Sequence, residues 1–390
     1  MIYLDYAATS PLNPRALEAM LPYLRQDYGN ASAAYSIARH AQKAIDDARK
    51  AVAEVLGCRT SDVVFTSGGT ESINTALKGV AFAMRKSGAG NHIVTTEVEH
   101  DAVLHTCNYL EQFGFEITTL PVDRLGRVDP EAVAGAITER TVLVSVMQAN
   151  NEVGTVQPVA EIARLVGERA RALGKRIPVH ADSVQAPGAL PISVDELGID
   201  LLSLSGHKFG GPKGTGVLYI RRGIPFVSQL TGGGQERQRR AGTENVAGIV
   251  GQAVALTEAE SRRSDYVEST RRLRDRLTAT LTSRIPDSLL TGDPVDRLSS
   301  NVSISFRGVR GDELVGALDK EGIAVSAGAA CGSSTWEPSH VLLAMGLSMP
   351  DVVGGLRLSL SLETTDAEVD QVIAVLPRVI DQLRPIAAAG

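Results

Sequence analysis

Residues 202–216 read LSLSGHKFGGPKGTG. An apolar run that begins at Asp200 stops at Ser205 and gives way to Gly206-His207-Lys208. Four further glycines and a proline then lead into a second apolar run, GVLYI (216–220). The first run has the texture of a buried strand, so Lys208 falls just beyond its carboxyl end, which is where open parallel sheets bind ligands. Glycine, lacking Cβ, lets backbone come close to a bound group. The stretch therefore predicts a sheet edge that holds one amine in place.

Similar β-branched runs recur at DVVFT (62–66), HIVTT (92–96), EITTL (116–120), TVLVSV (141–146) and IPVHAD (177–182). Amphipathic stretches such as TESINTALKGVAFAMRK (70–86) and PVAEIARLVGERARAL (158–173) lie between them. Strand–helix alternation of this kind predicts an α/β fold with a mostly parallel seven-stranded sheet covered by helices on both faces. Beyond about residue 245 the texture changes. Helical patterns run through 246–262 and 266–285, followed by NVSISF (301–306), GDELVGALDKEG (311–322), IAVSA (323–327), LRLSLS (356–361) and a helix over 365–383. This part reads as a smaller α+β unit with antiparallel strands. Asn13-Pro14 predicts a helix start, with Asn as cap and Pro at the first helical position.

With 390 residues the chain is long enough for two domains, and 43% hydrophobic with 22% charged residues is a globular composition. A net charge of −6 argues against nucleic acid as a direct partner, although RRG (221–223) and ERQRR (236–240) are locally basic. No apolar run reaches the roughly eighteen residues of a membrane span. The first residues lack the pattern of a secretory signal. The three cysteines, Cys58, Cys107 and Cys331, show no CxxC spacing, so no metal site is expected, and their sparseness fits a reducing, cytoplasmic compartment.

Several residues carry chemistry. A lysine that is partly desolvated loses basicity and becomes an amine nucleophile able to condense with an aldehyde cofactor. Asp182 ends the run VHAD, where a carboxylate needs a cation, and the protonated ring nitrogen of pyridoxal phosphate is one. FTSGGTES (65–72) passes from strand through a glycine turn to helix, so Gly69 and Thr70 offer free N–H groups and a hydroxyl to a phosphate. Ser205 and His207 flank the lysine and add donors. His100 follows a strand in EVEH and is suited to stacking on a flat ring and moving protons. Asn151 and Gln185 are candidate donors to a phenolic oxygen. Arg357, inside the apolar run GLRLSL, needs an anionic partner, either a substrate carboxylate or a structural acid. Cys331 lies among small residues in SAGAACGSSTWEPSH (326–340), a texture of an exposed thiol on a loop, whereas Cys58 and Cys107 read as core cysteines.

The motifs YLDYAAT (3–9), SGGTES (67–72), EVEH (97–100), ANNEVGT (149–155), HADSVQ (180–185), SGHKFGGPKGTG (205–216), GGGQERQRRAGT (232–243), SAGAAC (326–331) and EPSHVLLAMG (337–346) together resemble the cysteine desulfurases, which are fold-type I pyridoxal phosphate enzymes. The resemblance covers nearly the whole chain. It implies pyridoxal 5'-phosphate as cofactor, with Lys208 as its Schiff-base lysine, Asp182 on its ring nitrogen and His100 stacked on the ring. It implies that Gly69, Thr70, Ser205 and His207 contact the phosphate, and that Thr243 does so across a homodimer interface. Asn151 and Gln185 then lie near the phenolic oxygen. Arg357, Asn151 and Asn30 hold the substrate, and Cys331 is the nucleophile. The implied reaction takes L-cysteine to L-alanine and leaves sulfur as a persulfide on Cys331, for delivery to an acceptor such as an iron–sulfur scaffold or another thio-modification system. A selenocysteine lyase or an aminotransferase on the same fold is the alternative. The implied division is a large cofactor-binding domain over 13–252 and a small domain of 1–12 and 253–390 that carries the catalytic cysteine. The stretch GNASAAY (29–35), with Ala31 and Tyr35, and Gly332 after the cysteine depart from the family's usual residues.

Overall fold

The computed structural model describes residues 1–327 and 337–387. A short strand β1 (Ile2–Tyr3) precedes helix α1 (Pro14–Arg25). The Asn13 side chain accepts from the N–H groups of Arg15 and Ala16, with Pro14 in the first turn, so the expected cap forms. Then come α2 (Ser36–Leu56), β2 (Val63–Thr66), α3 (Gly69–Lys86), β3 (His92–Thr96), α4 (Asp101–Glu111), β4 (Glu116–Leu120), α5 (Pro130–Gly135), β5 (Thr141–Ser145), α6 (Val159–Ala172), β6 (Val179–Asp182), β7 (Leu201–Ser205) and β8 (Gly216–Ile220). Strands β2 to β8 make one sheet in the order β2-β8-β7-β6-β5-β3-β4. Only β8 runs against its neighbours.

Alternate residues of each strand feed opposite cores. Val63 and Phe65 join one cluster with Leu202, Leu204 and Val217, while Val64 joins another with Ile93, Leu201 and Leu218. Burial on both faces explains why these strands are continuously apolar. The edge strand β4 instead exposes Glu116, which pairs with Arg140.

The chain continues through a single turn α7 (Gln235–Gln238), α8 (Val246–Ser261), α9 (Arg263–Arg284), β9 (Ser288–Leu290), β10 (Asn301–Phe306), α10 (Gly311–Lys320), β11 (Ile323–Ala324), β12 (Ser326–Ala327), α11 (His340–Ala344), α12 (Met349–Val353), β13 (Gly355–Ser359) and α13 (Asp366–Ala387). Strands β9, β10, β13 and β12 form a separate antiparallel sheet, and β1 pairs in parallel with β11. Strand β9 is not visible in the sequence pattern, because its middle residue, Leu289, is exposed and the other two are only partly buried. Ala253 and Leu256 of α8 pack into the core under the large sheet, whereas Leu273, Leu277 and Leu281 of α9 pack into a second core with Val302, Leu356 and Val369. Ile2 and Leu4 belong to that second core, far from it in sequence.

Two arginines of the basic stretches pair with acids, and Arg237 and Arg239 donate to the carbonyls of Thr60 and Ser61. Arg221 pairs with Asp195 and Asp200, and Arg240 with Glu71. In the turn α7, Glu236, Arg237 and Gln238 all take positive φ, at 46°, 55° and 64°, a left-handed conformation unfavourable for residues with a Cβ. It is held by a buried ion pair. The Glu236 carboxylate accepts two bonds from Arg49, at 2.7 and 2.8 Å, and a third from the Phe65 N–H at 3.0 Å. Replacing Glu236 by Ala leaves the Arg49 guanidinium buried without its acid. The expected loss is about 3–5 kcal/mol, read as a lower urea midpoint at fixed protein concentration; an unchanged midpoint contradicts this role for the pair.

Candidate active site

Beyond β7 the backbone makes one tight 3₁₀ turn, Gly206–Lys208. A Cβ on Gly206 would lie 2.3 Å from the Thr215 hydroxyl, so only glycine lets the chain turn here. The turn sends Lys208 under residues 5–9, which cross the end of the sheet as a strap. Nζ of Lys208 donates to the carbonyls of Ala7 at 2.6 Å and Ala8 at 2.9 Å. The strap is tied down on both sides: the Ala7 N–H donates to Ser359 Oγ, and the Ser10 N–H donates to the His207 carbonyl. Burial, reinforced by the Arg357 guanidinium, pushes the Lys208 amine down to about 8. The neutral, nucleophilic form is thus within reach near physiological pH.

Asp182 ends β6 and is buried. It accepts one bond, from the Val184 N–H at 3.0 Å, and makes no ion pair among the described residues. Burial raises its pKa, opposed by His100, the Val184 N–H and Lys208. A buried carboxylate that borders a cavity without a cation of its own fits a protonated heterocyclic nitrogen. One row deeper, His180 is bonded on one ring nitrogen to Ser145 and on the other to Ser203, each at 2.9 Å, and burial lowers it to about 3. This neutral imidazole ties β5, β6 and β7 together beneath the site.

Helix α3 begins without a side-chain cap, because Gly68 precedes it at φ 155°. Its first N–H groups are therefore open to an anion. A Cβ on Gly69 would lie 2.9 Å from Val184 Cγ2 and 3.3 Å from Ser205 Cβ, so the turn is shaped for close approach. The hydroxyls of Thr70 and Ser205 make no hydrogen bond among the described residues. His207, lowered to about 4 by burial and then by Lys208 and Lys213, is neutral, and its Nδ1 lies 3.1 Å from Thr9 Oγ1.

Lys208, Asp182, Gly69, Thr70, Ser205 and His207 border one cavity of about 520 Å³, together with His100, Gln185, Asn151 and Arg357. His100 caps α4, with Nδ1 accepting from the Ala102 N–H at 3.0 Å, so in the neutral ring Nε2 carries the proton. Gln185 donates to the Ala7 carbonyl at 3.1 Å. Arg357 has the structural acid that was one of its two readings: Nη2 pairs with Asp5 at 2.7 Å and Nη1 donates to the Asn151 carbonyl at 3.0 Å, while Nε has no partner among the described residues. Anion cradle, buried acid, weakened amine and guanidinium are what pyridoxal phosphate with an amino-acid substrate requires.

Two predicted residues lie elsewhere. Asn30 and Thr243 are exposed and do not border this cavity. Ala31 is buried in the core and Tyr35 is exposed. Cys331 and Gly332 lie outside the described residues; Ala327, shortly before them in sequence, borders the cavity. Cys107 is buried and Cys58 partly so, and burial raises both thiols to about 12. Sequence reasoning missed Asp5, Glu99 and Glu152. Glu99 is wholly buried: Oε1 accepts from the Met147 N–H at 2.7 Å and from the Thr96 hydroxyl at 3.0 Å. Burial pushes it up to about 8, against those two bonds and with help from Asp182. An acidic residue next to a strand end carries no local mark of such burial.

Residues 2–372 match the model of a family described as Aminotransferase class-V. The chain is 48% identical over 383 residues to the cysteine desulfurase IscS of Methanosarcina thermophila, an alignment covering 98% of this chain and 93% of that one. It is 46% identical over 385 residues to the cysteine desulfurase IscS of Dictyoglomus turgidum, covering 99% and 96%. A solved structure of a NifS-like protein superposes with a TM-score of 0.91 at 38% identity, covering 98% of this chain and 100% of that one.

The buried proton on Glu99 has a measurable consequence. The folded carboxyl keeps its proton up to about 8, while the unfolded one releases it near 4.5. Its contribution to stability is whole below 4.5 and is lost as the pH rises through about 8. Glu99→Gln keeps an acceptor for Met147 and removes the titration. The variant's melting temperature should fall less than the wild type's as the pH is raised through that window; parallel curves contradict a protonated Glu99.

Proposed function

The chain belongs to the class-V aminotransferase family and, within it, to the cysteine desulfurases, and on that premise we propose that it moves the sulfur of L-cysteine onto Cys331 as a persulfide and releases L-alanine. The observation that carries the reading is a single cavity bordered by Lys208, weakened by burial, by the open turn of α3 and by Asp182, an acid with no ion pair among the described residues. The cofactor, pyridoxal 5'-phosphate, supplies when bound an electron sink for the bonds of the substrate's Cα.

Each residue then has a task. Lys208 Nζ would hold the cofactor's aldehyde carbon and would take the proton from the substrate Cα, a role its lowered basicity suits. Asp182 keeps the ring nitrogen protonated. The first turn of α3 with Gly69, Thr70, Ser205 and His207 holds the phosphate. Thr243 from a second copy of the chain completes that grip in a homodimer, in keeping with its exposed position away from its own cavity. Gln185 and Asn151 would serve the phenolic oxygen, and His100 would lie against the ring and pass protons through Nε2. Arg357 takes the substrate carboxylate with Asn151, aimed by its bond to Asp5, while Asn30, exposed and away from the cavity, has no part in it. The Cys331 thiolate attacks the substrate sulfur. The Cβ–S bond breaks with its electron pair going to carbon, and a proton completes alanine. One cysteine and one enzyme thiol thus become one alanine and one persulfide.

In this reading the large domain spans 13–252, and residues 1–12 with 253–390 form the small one. An acceptor protein such as an iron–sulfur scaffold, in the cytoplasm, then takes the sulfur. Lys208→Ala should abolish covalent capture of the cofactor and all turnover. Cys331→Ala should keep the cofactor's visible absorption band and release no alanine from cysteine. Normal alanine release by either variant sinks the proposal.

A further inference from the structure

The nucleophile's segment rejoins the described chain at Glu337, and two consecutive residues there grip the floor of the cavity. Ser339 Oγ donates to Glu152 Oε2 at 2.5 Å and accepts from the Leu342 N–H at 3.1 Å, capping α11. His340 Nε2 donates to the Glu99 carbonyl at 2.9 Å. Their partners are sequence neighbours of residues with tasks in the cavity: Glu99 precedes His100 and Glu152 follows Asn151.

Glu152 is itself immobilised. Its N–H donates to Asn150 Oδ1 at 2.8 Å, and its carbonyl accepts from Asn301 Nδ2 at 3.0 Å. It is 8% exposed, borders the cavity and has no task in the reaction proposed above. A buried carboxylate is unfavourable unless something is gained from it, and its side-chain bond goes to Ser339. Beneath this contact Val341 and Leu342 of α11, with Met345 just beyond it, pack against Val98, Met147 and Val153, which follow the ends of β3 and β5. The opposite flank of the segment is held differently. Ser326 and Ala327 of β12 pair with Arg357 and Leu356 of β13, in the antiparallel sheet. One flank of the Cys331 segment thus pairs into the antiparallel sheet, while the other packs on the loops that follow β3 and β5, where the Glu152–Ser339 bond registers it beside the cavity.

We propose that Glu152 and Ser339 are positioning residues for the Cys331 thiol: their hydrogen bond sets the point from which the nucleophile's segment departs, and so serves sulfur transfer rather than cofactor or substrate capture. The proposal rests on the reading of Cys331 as the sulfur acceptor. Four holoenzyme variants separate it from a purely structural role: Ser339→Ala, Ser339→Thr, Glu152→Ala and Glu152→Gln. The readouts are cofactor absorbance, kcat and KM for cysteine, and the rate of persulfide appearance on the Cys331 peptide by mass spectrometry in a single turnover. Loss of this buried hydrogen bond, which leaves a polar partner unsatisfied, predicts a fall of about tenfold or more in kcat and persulfide rate for Ser339→Ala and Glu152→Ala, with cofactor occupancy unchanged and KM within about twofold. Ser339→Thr and Glu152→Gln, which keep donor and acceptor, should stay near wild type. If Ser339→Ala loses its cooperative melt, Glu152→Ala carries the test alone, because it leaves the cap to Leu342 in place. Wild-type rates in the Ala variants, or losses accounted for by KM or occupancy, overturn the proposal. Absence of persulfide on Cys331 in the wild type instead overturns the reading beneath it.

Discussion

The Lys208 ammonium is held by two backbone carbonyls, those of Ala7 and Ala8, and the rest of the site is arranged around that contact. The carbonyls are in place only because the first residues of the chain join two cores. Ile2 and Leu4 pack into the second core, Asp5 bridges to Ser359, and Asn13 caps a helix that packs on the large unit. The acceptors of the amine thus depend on both units being folded against one another. Neutral carbonyls satisfy the ammonium without adding a full opposite charge beside it. Burial and Arg357 then outweigh Asp5 and Asp182 and bring the amine down to about 8. A carboxylate in place of either carbonyl would have kept it a spectator cation.

The same balance extends across the cavity. His207 and His180 are kept neutral by burial, so neither places a competing cation beside Asp182. Glu99 holds a proton, which removes a second negative charge from the neighbourhood of Asp182. The cavity therefore keeps one acid free for a ring nitrogen, one weak amine, one open helix end and one strong cation, Arg357, that is itself steered by Asp5. Neutral histidines and a protonated glutamate serve as struts, and the charges with chemical work border the cavity.

Much of this was legible in local sequence. Strand ends are marked by where apolar runs stop, so Lys208, Asp182, His100 and the turn at Gly69–Thr70 are legible as strand-end residues, and a mostly parallel sheet follows from strand–helix alternation. Arg357 was suspect because a guanidinium inside an apolar strand demands a partner. The strap, Asp5, Glu99 and Glu152 were not legible as parts of the site. Their roles depend on contacts between residues distant in sequence, such as Glu152 with Ser339 and Asp5 with Arg357. An acid beside a turn looks the same in sequence whether it is solvated or sealed under a loop. The left-handed turn at Glu236 was hidden for the same reason, since its ion partner Arg49 lies on a helix far upstream. Asn30 and Thr243 were named from family likeness, and nothing in this chain's own cavity calls for them.

The central claim is that one amine, Lys208, is covalently joined to the cofactor's aldehyde. Borohydride reduction of the cofactor-loaded protein, followed by peptide mass spectrometry, tests it directly. A phosphopyridoxyl mass on the peptide containing Lys208 is the predicted result; the same mass on the nearby Lys213 or another lysine, or no adduct at all in fully loaded protein, would contradict it.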